Sequence, residues 1–384
     1  MTFKYLGLSA SIAEVLEKQN FTKTYPIQEK AIPEILKGRD VMGIAKTGAG
    51  KTASYAFPII HQLQKNRKSF KNRHLPVLVL VPTRELAEQI KDVFQKLTSH
   101  LPEKIKIQAV YGGVSINPQM KSMNQTSILV STPGRLLNLM ESKALHLNSL
   151  QTLVLDEADK MLSMGFKQEM DQIIKEVPKK CQYLLFSATL STDIKAISLF
   201  NLRDPLIIEI QETPDTIHLI SQIGYWVTEA KKGPLLRYII NKEVNKKVLI
   251  FTSSTYKADN VADKLRKNGI DASAIHSKKS QSARLEALER FKSGSLGVIV
   301  ATDLLARGID IEQLLLVINY ELPRSPKDYI HRIGRTGRAE SQGKAISLIS
   351  PEEKHHFKII QKKMKKWVDM VDGENLTFFN NKNN

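Results

Sequence analysis

The chain has 384 residues, of which 42% are hydrophobic and 25% charged, a size and composition that fit two medium-sized globular domains and exclude wholesale disorder and fibrous repeats. A lone Cys181 excludes an internal disulfide framework and any cysteine-rich zinc site, and favours a reducing compartment. The formal net charge of +18 is split evenly, with 28 basic against 19 acidic residues over 1–210 and 29 against 20 over 211–384, which points to two bodies flanking one polyanion rather than a basic tail.

The opening MTFKYLGLSASIAEVLEKQN lacks the continuous apolar stretch of an export signal. The longest apolar runs, Leu75 to Val81 and Leu314 to Ile318, fall well short of the roughly 20 residues of a membrane span. A cytoplasmic protein with no membrane partner is expected.

Short β-branched runs alternate with amphipathic stretches of helical length, the pattern of parallel sheets covered by helices. In the first half the runs are Val41 to Ala45, Val77 to Val81, Ile107 to Tyr111, Ile128 to Ser131, Thr152 to Asp156 and Tyr183 to Ser187. In the second they are Val248 to Thr252, Ala272 to His276, Val298 to Thr302, Leu316 to Tyr320 and Ala345 to Ile349. Between the halves EIQETPDTIHL has no sustained period, so we expect a domain over 1–208, a linker over 209–218, a second domain over 219–366, and a short frayed tail over 367–384.

In open α/β sheets ligands bind outside the carboxyl ends of the strands, so the polar residues that follow each run are candidate site residues. VMGIA leads into KTGAGKT and then a helix-compatible stretch. Thr47, Gly48, Ala49 and Gly50 form a phosphate cradle of converging backbone N–H groups, Lys51 supplies a positive charge, and Thr52 a hydroxyl for Mg²⁺. TLVL ends in Asp156-Glu157-Ala158-Asp159, which reads with that loop as a Walker B site. Asp156 would hold Mg²⁺ through its water shell and Glu157 would orient and deprotonate the attacking water. Positive charge for the transition state is concentrated in the second half, in HRIGRTGR over His331 to Arg338; if the domains close on ATP, Arg335 and Arg338 act as arginine fingers. The plain alternative is a solvated basic turn. His355 and His356 lie in a Lys-rich helical stretch with no spaced ligand partner, and read as a solvated face rather than a metal site.

With these motifs in place the chain resembles the DEAD-box ATP-dependent RNA helicases from about Phe3 to about residue 366. The resemblance is carried by FTKTYPIQ over Phe21 to Gln28, the phosphate loop, PTRELA from Pro82, Gly112-Gly113, Thr132-Pro133-Gly134-Arg135, the DEAD quartet, Ser187-Ala188-Thr189, Gln281 to Arg284, ATDLLARGID from Ala301, and HRIGRTGR. It implies two tandem RecA-like domains, ATP with Mg²⁺, and single-stranded or short duplex RNA bound with little sequence specificity. By the same resemblance Phe21 stacks on adenine, Gln28 bonds its edge and Phe3 completes the pocket, while Asp303 contacts the ribose. Arg84, Gly113, Thr132, Arg135 and Thr302 contact the RNA backbone. Ser187 and Thr189, with Asp159, couple nucleotide state to RNA, and His331 ties the second domain to that network.

The chain departs from the family pattern at Thr24-Tyr25, where Pro-Thr is usual, at Lys46, where Gln is common, and in the basic stretch His276 to Gln281. Tyr25 does not reproduce a threonine's short hydroxyl, so the coupling of adenine loop to phosphate loop is the least secure inheritance. Its brevity resembles the short bacterial RhlE-like type, acting as a monomer in ribosome assembly or RNA turnover with ribosomal or RNA-decay partners. A non-processive RNA clamp or remodelling scaffold and a DNA helicase are the competing functions.

Overall fold

The computed structural model describes residues 3–19, 21, 23–45, 48–65, 74–102, 104–189, 202–210, 220–243, 247–303, 314–336 and 343–375. Thr47, Arg338, residues 304–310 and most of the expected linker lie outside them. The chain divides into two compact units, Met1–Glu212 and Thr213–Asn384.

The first unit holds strands β1 (Val41–Ile44), β2 (Val77–Leu80), β3 (Ile107–Val110), β4 (Ile128–Ser131), β5 (Thr152–Asp156), β6 (Gln182–Ser187) and β7 (Leu206–Glu209). Its helices are α1 (Ala10–Lys18), α2 (Pro26–Leu36), α3 (Lys51–Lys65), α4 (Arg84–Thr98), α5 (Ile116–Ser122), α6 (Pro133–Glu141), α7 (Ala158–Ser163) and α8 (Lys167–Lys175). The strand order is β3-β4-β2-β5-β6-β1-β7, and every pairing is parallel. Continuous apolar runs such as VLVL are buried along their whole length because helices cover both faces of a parallel sheet. Register sets the functional edge: Ile44 lies beside Ser187 and Asp156 beside Phe186, so the residues that follow β1, β5 and β6 emerge on one ridge.

The second unit repeats the design with β8 (Ile220–Trp226), β9 (Val248–Thr252), β10 (Ala272–Ile275), β11 (Val298–Thr302), β12 (Leu316–Asn319), β13 (Gly343–Ile349) and β14 (Asp369–Asp372), in the order β10-β11-β9-β12-β13-β8-β14. Its helices are α9 (Glu229–Lys242), α10 (Thr255–Arg266), α11 (Gln281–Ser293), α12 (Pro326–Ile333) and α13 (Lys354–Met364). Side-chain caps start three of them, at Ser254, Ser280 and Ser325, each accepting a backbone N–H two residues into the helix.

The α/β expectation of helix-covered parallel sheets holds, but β7, β8 and β14 lie outside the expected apolar runs. β7 sits at the sheet edge with Ile207 and Glu209 exposed, and β8 alternates burial through Gln222 and Gly224. The expected frayed tail is corrected for Asp369–Asp372, which pair in parallel with β8 as edge strand β14. Four residues with two aspartates are too short and too polar to show a strand period. Glu209, placed at the start of the linker, ends β7 instead. Among the described residues, no helix is long and apolar enough to cross a membrane.

Candidate nucleotide and RNA sites

The phosphate loop connects β1 to α3. Gly48 and Gly50 both take positive φ, near +79° and +82°, which turns successive N–H groups toward one point. A Cβ on Gly50 would run into the Gln28 amide and the Tyr25 ring. Gln28 explains that closeness: its Nε2 donates to the Gly50 carbonyl at 3.1 Å, and its Oε1 accepts the Tyr25 N–H at 2.9 Å. The segment before α2 is therefore joined to the glycine loop by Gln28, without a threonine at position 25. Thr24 turns to Glu29 instead, at 2.5 Å. Lys51 is buried and its Nζ donates to the Ala45 carbonyl at 2.5 Å. Phe21 is half-buried, while Phe3 lies behind it in the core, edge-on to Phe21 at 6.4 Å and to Phe57 at 5.4 Å.

Asp156 closes β5 in a fully buried position. Its Oδ2 accepts the Tyr55 hydroxyl at 2.8 Å and its Oδ1 the Glu157 N–H at 2.9 Å. Burial, reinforced by the charge of Glu157, pushes its carboxyl up to about 6, against the opposing field of Lys51. The phenol of Tyr55 is raised well above its ordinary range, by burial first and Asp156 second. Glu157 adopts a left-handed conformation at φ 52° and ψ 46°, a costly geometry for a non-glycine residue and one that clusters at functional sites. Its Oε1 meets Lys160 Nζ at 2.6 Å, whereas Oε2 is buried with no hydrogen-bond partner among the described residues. A buried, partnerless carboxylate oxygen beside a second buried carboxylate suits a divalent cation with its water shell, so the donor set fits Mg²⁺.

The strand next to β5, β6, ends at Ser187. Ser187 Oγ donates to the Thr189 carbonyl at 2.8 Å and accepts the Thr189 N–H at 3.3 Å. Thr189 Oγ1 in turn donates to Asp159 Oδ2 at 3.1 Å, so the SAT and DEAD segments are hydrogen-bonded directly.

Arg84, at the first turn of α4 behind the Thr83 cap, lays its guanidinium against Gly113, whose φ is +76° and whose Cβ, if present, would collide with it. Arg135 is held by Gln119 Oε1 and the Val114 carbonyl, both at 2.7 Å, with its Nε buried and without a hydrogen-bond partner among the described residues. Burial first, then the like charge of Arg84, lowers its proton affinity. Two guanidinium groups close enough to repel each other thus concentrate positive charge beside the glycine. Thr132 is buried at the start of α6 and makes no side-chain cap.

In the second unit Thr302 ends β11 and Asp303 follows it. Asp303 is gripped by Arg332, whose Nε and Nη2 donate to its two oxygens at 2.6 and 2.8 Å. His331 is half-buried in the last turn of α12, and Arg335 is buried just beyond it. His276 is buried, with Nε2 3.0 Å from Asp259 Oδ2 but without hydrogen-bond geometry, and Lys279 meets Asp259 Oδ1 at 2.8 Å. The basic stretch there is thus partly committed to an internal ion pair.

Sequence reasoning missed Tyr55, Lys160 and Arg332. Only Lys160 left a usable signal, its i,i+3 spacing from Glu157 at a helix start. Tyr55 and Arg332 act on carboxylates 101 and 29 positions away.

Comparison with known proteins agrees with this arrangement. Residues 25–197 match the DEAD/DEAH box helicase family and residues 231–340 the helicase conserved C-terminal domain. The DEAD-box ATP-dependent RNA helicase CshA of Bacillus cereus is 36% identical over 376 residues, 98% of this chain and 70% of that protein. The ATP-dependent rRNA helicase RRP3 of Gibberella zeae is 40% identical over 352 residues, 91% of this chain and 71% of that protein. The structure of S. cerevisiae Dbp5 bound to RNA and ADP BeF3 superposes with a TM-score of 0.85 at 28% identity, covering 97% of this chain and 96% of that one. With its phosphate loop, buried acid pair and coupled serine and threonine carried on two RecA-like sheets, this chain belongs to the DEAD-box family of ATP-dependent RNA helicases.

Proposed function

We propose that the chain hydrolyses ATP when RNA is bound and uses closure of its two units to bend one RNA strand, which separates short duplexes locally. The observation that carries this proposal is the acid pair at the end of β5, where buried Asp156 lies in the field of Lys51 beside a Glu157 oxygen without a hydrogen bond among the described residues.

The amides of residues 47–50 and the Lys51 ammonium bind the phosphates, with Phe21 against the adenine face and Gln28 at its edge. Thr52 and Asp156 hold Mg²⁺ largely through water; when bound, that ion neutralises charge on the phosphate oxygens. Glu157 Oε2 accepts a proton from the attacking water as its oxygen bonds to the γ-phosphorus and the bond to the β,γ-bridging oxygen breaks, leaving ADP and phosphate. Arg335 and Arg338 approach the transferring group from the second unit and His331 ties that approach to the Asp159–Thr189 contact, so hydrolysis depends on closure.

Arg84, Gly113, Thr132, Arg135 and Thr302 take sugar and phosphate groups, which carry no base sequence, so low sequence specificity follows. A strand bent along this track cannot remain in an A-form helix. The similarity to an rRNA helicase supports a role in ribosome assembly, with RNA turnover the other candidate, for a monomer acting in the cytoplasm.

The test is phosphate release and strand displacement on a short RNA duplex. Lys51→Ala is expected to abolish both, and Arg335→Ala to reduce RNA-stimulated turnover by about 10³-fold. Full stimulation in Arg335→Ala overturns the cross-unit scheme. Equal stimulation by a 2′-deoxy strand favours a DNA helicase, and RNA binding without phosphate release favours a clamp.

A further inference from the structure

Helix α13 buries one face and leaves the other in solvent. Phe357, Ile360 and Met364 pack into the core of the second unit, with the Phe357 ring 5.9 Å from that of Tyr329 on α12. The opposite face, at spacings of three and four, presents Lys358, Ile359, Lys362 and Lys363. The helix contains no acidic residue, and Lys358, Lys362, Lys363 and Lys365 form no ion pair among the described residues. Like charges one turn apart repel, and the helix dipole favours cations only in the last turn, which accounts for Lys362 and Lys363 but not for Lys358.

The segment that follows displays one aromatic ring. Lys365 ends the helix in a left-handed conformation, φ 56° and ψ 29°, which favours glycine. Lys366 Nζ then donates to the Ile220 carbonyl at 2.9 Å, and the N–H of buried Val368 donates to Gln361 Oε1 at 2.9 Å. Between these two anchors Trp367 stands with 73% of its surface exposed, and Ile359 is 46% exposed on the basic face.

We propose that the basic face of α13 and the Trp367 ring form a second contact surface for single-stranded RNA, separate from the track proposed through Thr302, in which the lysines take phosphates and the indole stacks on a base. Charge and aromatic surface together select this partner, and stacking on an indole is indifferent to base identity, so the surface adds affinity without sequence preference. An anionic membrane fits less well, because the apolar side of α13 is committed to the core. Sheet order places the two surfaces far apart: β11 and β14 are five strand spacings from each other, about 24 Å. Thr302 closes β11 whereas Trp367 precedes β14, so the two emerge at opposite ends of parallel strands. Only a long strand spans both.

The proposal does not depend on the hydrolysis scheme, so binding is read without nucleotide. Trp226 and Trp367 are the two tryptophans of the chain, and Trp226→Phe leaves the fluorescence to Trp367. A strand of about 30 nucleotides, well beyond the size of one single-strand site, is expected to quench it. By anisotropy, Lys358→Ala, Lys362→Ala and Lys363→Ala together should weaken binding of that strand about tenfold and reduce the salt slope by about 2, at about 0.7 for each phosphate released. Trp367→Ala should also weaken it about tenfold, with most of the loss restored in Trp367→Phe. A strand of about 10 nucleotides engages one surface at a time, so its affinity, set by the stronger surface, should change by less than about twofold. Thermal unfolding checks each variant, and the quenching measurement, with position 367 intact, decides the question if Trp367→Ala does not fold.

Absent quenching by the long strand, or long-strand affinity unchanged in these variants, overturns the proposal. Equal losses for long and short strands also overturn it, by placing α13 in the main track. Quenching by poly-glutamate as strong as by RNA makes the face a docking site for acidic protein instead, and a blue shift on phosphatidylglycerol vesicles without quenching by RNA makes it a membrane contact.

Discussion

Gln28 and Gly50 are joined by a hydrogen bond of 3.1 Å, so the start of α2 and the loop before α3 share one contact. The same glutamine also accepts the Tyr25 N–H and is 2% exposed. The start of α2 and the glycine loop before α3 are therefore linked through one side chain.

Gln28→Ala removes both bonds and leaves the Tyr25 N–H without this partner, a loss of about 1–3 kcal/mol, while the Gly50 carbonyl keeps the Ser54 N–H and hydroxyl. The expected outcome is a KM for ATP raised at least tenfold. Because the phosphate loop is loosened too, affinity for inorganic pyrophosphate, measured calorimetrically, also falls. Unchanged pyrophosphate binding would restrict Gln28 to the base.

Asp156 carries a pH signature. Its folded carboxyl titrates near 6 against an ordinary value of 3.8, because burial disfavours the charge. The folded protein therefore holds this proton more tightly than the unfolded chain. The stability it contributes is complete below about pH 4 and is lost as pH rises through about 6, roughly 3 kcal/mol in all. Asp156→Asn should flatten that decline and make the nucleotide-free protein more stable at pH 7, while abolishing ATP hydrolysis. Denaturant titrations at pH 4.5 and 7 check this; an Asn variant less stable at pH 7 would contradict it.

Gly113→Ala places a methyl group in the space occupied by the Arg84 guanidinium and forces a left-handed backbone on alanine. RNA affinity should fall roughly fivefold or more, equally for unrelated sequences, because phosphate contacts carry no sequence information. ATP affinity without RNA should stay unchanged. Fluorescence anisotropy with two unrelated single strands measures the first, nucleotide titration the second.

Thr189→Val keeps the shape of the side chain and deletes the bond to Asp159. The expected phenotype is uncoupling: RNA and ATP each bind within about twofold of the parent, but stimulation of ATP hydrolysis by RNA drops by about tenfold or more. Normal stimulation in this variant would mean that the Asp159 contact transmits nothing.

Some of this was legible before any fold was known. VLVL and TLVLD announce strands buried on both faces, and GAGKT and DEAD are contiguous segments whose backbone turns depend mainly on their own residues. Less was legible where polar residues share a strand, as in β8, or where an edge strand is as short as β14. The adenine loop illustrates the other direction: Thr24-Tyr25 looked like a weak point, yet the contact it was thought to threaten is made by Gln28.

The sequence by itself determined the strand, loop and helix order around the phosphate loop and the acid pair, and their place at strand ends, because those features are local and follow from glycine freedom, apolar runs and neighbouring charges. Only the tertiary structure decided what each charged group is for. Tyr55 reaches Asp156 across 101 positions and Arg332 reaches Asp303 across 29, and a side chain's role depends on which partner the fold leaves within hydrogen-bond distance. Arg332 is fixed by four hydrogen bonds to groups that its own segment does not announce.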